Sequence, residues 1–114
     1  MLDPVPDQMF WSDQGWGANL ADAFVSGIWS AEEAPLSINL RELLAVEKGL
    51  LAFLPQLQGE VVGLFCDNTT AVSYLRRQGG FLSPLLNSVA QRILQWAEEQ
   101  KMTLIPQFLS LIHI

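Results

Sequence analysis

The sequence predicts a mixed α/β domain, a sheet with helices packed against it. The first thirty residues hold three short runs of strand character separated by turn residues. A helical stripe follows from Leu40, with leucines recurring at three- and four-residue spacing. An apolar run, Val61 to Cys66, then ends in Asp67 and is followed by Asn68, Thr69 and Thr70, side chains that cap helices. Meandering strands followed by helix, strand and helix give a mixed sheet covered by helices.

Met1 to Asp7, with Pro4 and Pro6, reads as an entering linker or the scar of a longer polyprotein. Gln8 to Asp13 alternates as a strand, Gln14-Gly15 is turn chemistry, and Trp16 to Leu20 is the returning strand of a hairpin. Ala21-Asp22 turns again into a third antiparallel strand, Ala23 to Trp29, and Ser30 to Pro35 is a polar connector. Ser37-Ile38-Asn39 leads into the clearest helix, Leu40 to Leu54, whose stripe is Leu40, Leu43, Leu44, Glu47, Leu51 and Leu54. Pro55 stops it and Gly59 turns the chain into the fourth strand, Val61 to Cys66. A short helix from Thr69 to Arg77 closes at Gln78-Gly79-Gly80. Ser83 caps the last helix and Pro84 takes its first position, with Leu85, Leu86, Val89, Ala90, Ile93, Leu94 and Ala97 as its stripe. Met102 to Phe108 is a fifth strand, which Pro106 places near a sheet edge.

At 114 residues the chain is one domain. Half of its residues are hydrophobic and four are tryptophan, which excludes a disordered tail. The single cysteine, Cys66, forms no intrachain disulfide and suits a reducing compartment, so the expected location is intracellular, in cytoplasm or nucleus. No apolar run reaches the roughly 18 residues of a membrane span, and no signal peptide pattern opens the chain, so no membrane partner is expected. The net charge of −6 weighs against nucleic acid as a partner, unless several of the carboxylates belong to a metal site.

Three acids stand out by position. Asp13 ends the first strand, Asp67 ends the fourth, and Glu42 falls in the expected first turn of the long helix, where the dipole favours a carboxylate. If the first and fourth strands are neighbours and the helix crosses them, the three carboxylates converge. Such a cluster needs cations. Hard carboxylate oxygens with open positions suit Mg²⁺ or Mn²⁺, and two such ions support phosphodiester hydrolysis.

The motifs Trp11-Ser12-Asp13 with Gly15-Trp16-Gly17-Ala18, Ile38-Asn39-Leu40-Arg41-Glu42-Leu43-Leu44, and Asp67-Asn68-Thr69-Thr70-Ala71-Val72 with Gln78-Gly79-Gly80 resemble the ribonuclease H domain of retrotransposon reverse transcriptases, with DIRS-type and gypsy-like elements closest. The resemblance covers Phe10 to Phe108 in the correct order. It implies a five-stranded mixed sheet flanked by helices, three strands antiparallel and the rest parallel, and Mg²⁺-dependent cleavage of RNA in RNA–DNA hybrids. The partners it implies are the hybrid and a polymerase domain in the same polyprotein. Asp13, Glu42 and Asp67 match the family's first three catalytic, metal-holding acids. Asn39 matches a position that contacts RNA 2′-hydroxyls. Asn68, Thr69 and Thr70 are candidates for backbone contact, and Arg76 and Arg77 for phosphate contact.

Two departures stand beside the likeness. Only Gln14 separates Asp13 from Gly15, about three residues fewer than the family has, and a changed register would turn Asp13 away from the site. After Phe108 the family continues through a segment carrying a fourth acid, whereas this chain reads Leu109-Ser110-Leu111-Ile112-His113-Ile114. One frame of a transposon end used in sequencing libraries encodes those six residues, so 109–114 is expected to be a non-native tail. The domain is then 8–108 without its C-terminal segment, with weak or no activity. The alternative is a non-catalytic module of the same fold, or the relic of a dead element. Trp11, Trp16, Trp29 and Trp96 are expected to pack in the core rather than stack on bases, Cys66 to be a buried small hydrophobe, and His113 to have no catalytic role.

Overall fold

A computed structural model describes residues 9–11, 15–20, 22–77 and 83–108. Of the sequence expectations, Asp13, the Gln78-Gly79-Gly80 closure, the entering linker and the 109–114 tail lie outside these residues. The described elements run β1 (Met9–Trp11), β2 (Gly15–Leu20), β3 (Ala23–Ile28), α1 (Ile38–Ala52), α2 (Leu54–Leu57), β4 (Val61–Cys66), α3 (Thr69–Leu75), α4 (Pro84–Glu99) and β5 (Thr103–Phe108).

The strands form two small sheets rather than the single five-stranded sheet expected. One is antiparallel in the order β1-β2-β3, and the other is the parallel pair β4-β5. In the first, Trp11 faces Trp16, and Trp16 in turn faces Gly27. In the second, Leu64 faces Pro106 and Cys66 faces Phe108. The edge strands β1 and β4 approach one another without a ladder between them. β1 is only three residues long, so it offers few backbone groups for a join. Pro106 sits where a missing N–H costs least, because β5 pairs only with β4 among the described residues.

Strand alternation builds the core. Ala18, Val62, Leu64 and Cys66 point toward the helices and are buried, with Trp16, Leu20, Val25 and Leu104 packed beside them. The alternate positions Phe24, Ile28, Val61 and Ile105 are exposed. α1 lies against all three strands of the antiparallel sheet, and it also touches α3 and α4. Its central position explains why its buried set is wider than one stripe: Leu40, Leu43, Val46 and Leu50 are joined by Arg41, Glu42, Ala45 and Gly49. Leu51, expected on the buried stripe, is instead exposed, and Leu50 takes the core position. Pro55 does not stop α1 directly. Phe53 caps it, and Pro55 enters the single turn of α2, near a helix start where its missing N–H is tolerated. On α4, Leu86, Val89, Ala90, Ile93 and Ala97 are buried as expected, but Leu85 faces solvent. Between α1 and α4, Arg92 clamps Glu47 with two 2.7 Å hydrogen bonds.

Candidate carboxylate site

The site is built on the junction where β4 gives way to α3. β4 is buried on one face, so its last residue, Cys66, is fixed in the core and Asp67 emerges immediately beyond it. Asn68 then adopts extended backbone and caps α3, its Oδ1 accepting from the Ala71 N–H at 2.8 Å. The same side chain donates from Nδ2 to Asn39 Oδ1 at 3.0 Å. One asparagine therefore caps its own helix and ties that junction to the start of α1.

α1 begins two residues earlier than its stripe suggests. Ser37 is the cap, its Oγ accepting from the Leu40 N–H at 3.3 Å. Counting from Ile38, Glu42 falls in the second turn, not the first as the sequence suggested, and no acid occupies the first turn. The helix dipole therefore favours its charge less than expected. Glu42 is wholly buried, with both carboxylate oxygens shielded from solvent. Asp67 is exposed.

Cys66 is buried at the end of β4. Burial pushes its thiol up to about 12, and the negative charges of Glu42 and Asp67 both add to that rise. The thiol thus sits within electrostatic reach of both carboxylates. Among the described residues no group of three or more His, Cys, Asp or Glu side chains is placed to hold a metal ion. Asp13, the third candidate, lies outside those residues.

The candidate substrate contacts divide between two places. Asn39, Thr69 and Thr70 line one cavity of about 510 Å³, together with Ser73, Tyr74 and Ser83. Asn68 binds Asn39 beside it. Arg76 and Arg77 line a different groove at the opposite end of α3, so the structure does not bring them to the asparagines and threonines. Ser73, Tyr74 and Ser83 were not singled out from the sequence. Tyr74 is buried, and its hydroxyl accepts from the Ser83 N–H at 3.1 Å, which fixes the start of α4 against α3. Its position in the fourth turn-residue place after Thr70 was a signal only once α3 was known to face a cleft. Trp29 is buried, and Trp16 and Trp96 pack against the core, as packing rather than base stacking requires.

No family model matches the chain, and no curated protein matches it.

Proposed function

We propose that this chain is a ribonuclease H-type domain that hydrolyses the RNA strand of RNA–DNA hybrids beside a reverse transcriptase polymerase domain. The observation that carries the proposal is the Asn39–Asn68 hydrogen bond, which ties the start of α1, three residues before Glu42, to the junction that carries Asp67. The motifs around Asn39 and Asn68 are thus adjacent in space as well as ordered along the chain. The family's single mixed sheet is met only in part, with β1 beside β4 but no ladder between them among the described residues.

Glu42 and Asp67, with Asp13, would hold Mg²⁺ or Mn²⁺, hard cations that suit carboxylate oxygens and that supply an activated water and charge stabilisation at the leaving oxygen. Asn39 presents an amide to the polar cavity, where it can donate to a 2′-hydroxyl and so separate RNA from DNA. Asn68 holds that amide in place through its own hydrogen bond, and Thr69 and Thr70 offer hydroxyls to the backbone.

A second reading, a non-catalytic module of the same fold, is favoured by one observation: the Glu42 carboxylate is closed to solvent, whereas a metal ligand must reach its ion. The deciding experiment is cleavage of an end-labelled hybrid in Mg²⁺ by this chain, by a C-terminally completed version of it, and by the Asp67→Asn variant of the completed version. The catalytic reading expects metal-dependent cutting of the RNA strand, reduced in the variant on the order of a hundredfold or more, the scale for losing a group that stabilises transition-state charge. Cutting that survives Asp67→Asn would overturn the mechanism. No cutting by the folded, completed chain in Mg²⁺ or Mn²⁺ would support the module.

A further inference from the structure

The basic residues of this acidic chain are not spread evenly. Six are present against twelve acids. Arg41 is buried in α1, Lys48 pairs with Glu33 at 2.9 Å, and Arg92 clamps Glu47. The other three, Arg76, Arg77 and Lys101, make no ion pair among the described residues, and they gather at one end of the molecule. Arg76 and Arg77 line a groove of about 440 Å³ between the ends of α3 and α4 and the strand β5, and Lys101 directly precedes Met102 on its wall. The floor is apolar, with Leu94 and Leu104 half-buried between Met102 and Pro106.

Arg76 is positioned rather than free to sweep. Its Nε donates to the Pro106 carbonyl at 2.8 Å, which fixes the guanidinium on the rim and leaves its terminal nitrogens for another acceptor. The same bond bears on how a ligand can sit. Pro106 has no N–H and its carbonyl is already engaged, so a peptide cannot add to β5 as a strand at that point. Recognition must come through side chains. A nucleic-acid backbone fits poorly, because it brings no apolar group to the floor.

We propose that this groove binds an acidic segment of a partner protein, seating an apolar side chain on Leu94 and Leu104 and a carboxylate against Arg76 and Arg77. A guanidinium pair beside an apolar floor matches that chemistry in both charge and polarity. The proposal does not depend on the carboxylate site, which lies at the other end of α3.

The test is an NMR titration of the ¹⁵N-labelled full chain with the capped peptide Glu-Asp-Leu-Phe-Glu. The expected result is saturable shifts confined to Leu75–Arg77, Glu98 and Met102–Leu104, weakened by added salt and about tenfold weaker in Arg77→Gln, whose exposed side chain can change without disturbing the core. Arg77→Lys, which keeps the charge, should retain most of the binding. Three results would overturn the proposal: no saturable shift, equal binding of the peptide with its acids changed to Gln, or tighter binding of a single-stranded DNA oligonucleotide to the same residues.

Discussion

At the residue scale, Asn68 and Cys66 set the geometry of the junction. Asn68 makes two hydrogen bonds with one amide, a cap on α3 and a tie to Asn39. Asn68→Asp keeps the cap acceptor but loses the donor to Asn39, so it should separate the two roles. Asn68→Ala should lower unfolding free energy by about 1–2 kcal/mol, the range for a lost cap, as read by urea denaturation. Asn68→Asp should lose less.

Cys66 makes a prediction about pH. Its folded thiol titrates near 12 against an ordinary 9.0, so the folded state keeps a proton that the unfolded chain gives up first. The stability from this group is whole below about 9 and drains away as pH rises toward 12. Denaturation midpoints should fall across that window, and Cys66→Ala should flatten the fall while costing some stability at neutral pH through the cavity it leaves. A thiol reagent should modify Cys66 only as fast as the chain opens.

At the element scale, the β2–β3 pairing depends on a glycine that composition alone does not flag. Trp16 lies across Gly27 on the neighbouring strand, and a Cβ at Gly27 would stand 2.5 Å from the indole Nε1. Gly27→Ala should therefore push the indole off its site and cost about 1–3 kcal/mol, the usual price of overpacking, with a changed Trp fluorescence spectrum as the direct readout. The bounds of β2 to β5 were legible to within one residue, and the helix caps were legible too. Ser37, Asn68 and Ser83 cap α1, α3 and α4 as hydroxyl and amide side chains should, and Pro84 takes the first position of α4. β4 was readable end to end because it is buried on one face and bounded by Gly59 and Asp67. The burial of Leu50 in place of Leu51 was not readable, since α1 is covered on several sides and a single stripe understates its contacts. The turn in which Glu42 lies was misjudged for a local reason: Ser37 starts the helix before its apolar pattern begins.

At the scale of the whole molecule, the fold class was written in the order of the elements, but the joining of the sheets was not. Local alternation specifies each strand's buried face, whereas the meeting of β1 and β4 depends on contacts between residues some fifty positions apart. Glu42 and Asp67 are likewise separated, by 25 positions. Sequence named Glu42 and Asp67, and the Asn39–Asn68 hydrogen bond shows that the segments carrying them meet. Packing also removed Arg76 and Arg77 from their company. The core that enforces this arrangement centres on Leu43, Leu50, Leu64 and Ile93, all closed to solvent. Leu50→Ala should cost about 2–5 kcal/mol in thermal or urea unfolding and should loosen both ends of the molecule together, because α1 touches both sheets' helices.

The proposed function turns on Glu42 and Asp67, with Asp13, holding a divalent cation. Paramagnetic line broadening by Mn²⁺ in the ¹⁵N-labelled chain tests it most directly. The expected result is selective loss of the amide signals of residues 41–43 and 66–68 at low Mn²⁺, reversed by excess Mg²⁺ and absent from the Asp67→Asn variant. Broadening centred on Glu98 and Glu99 instead, or unchanged in Asp67→Asn, would contradict it.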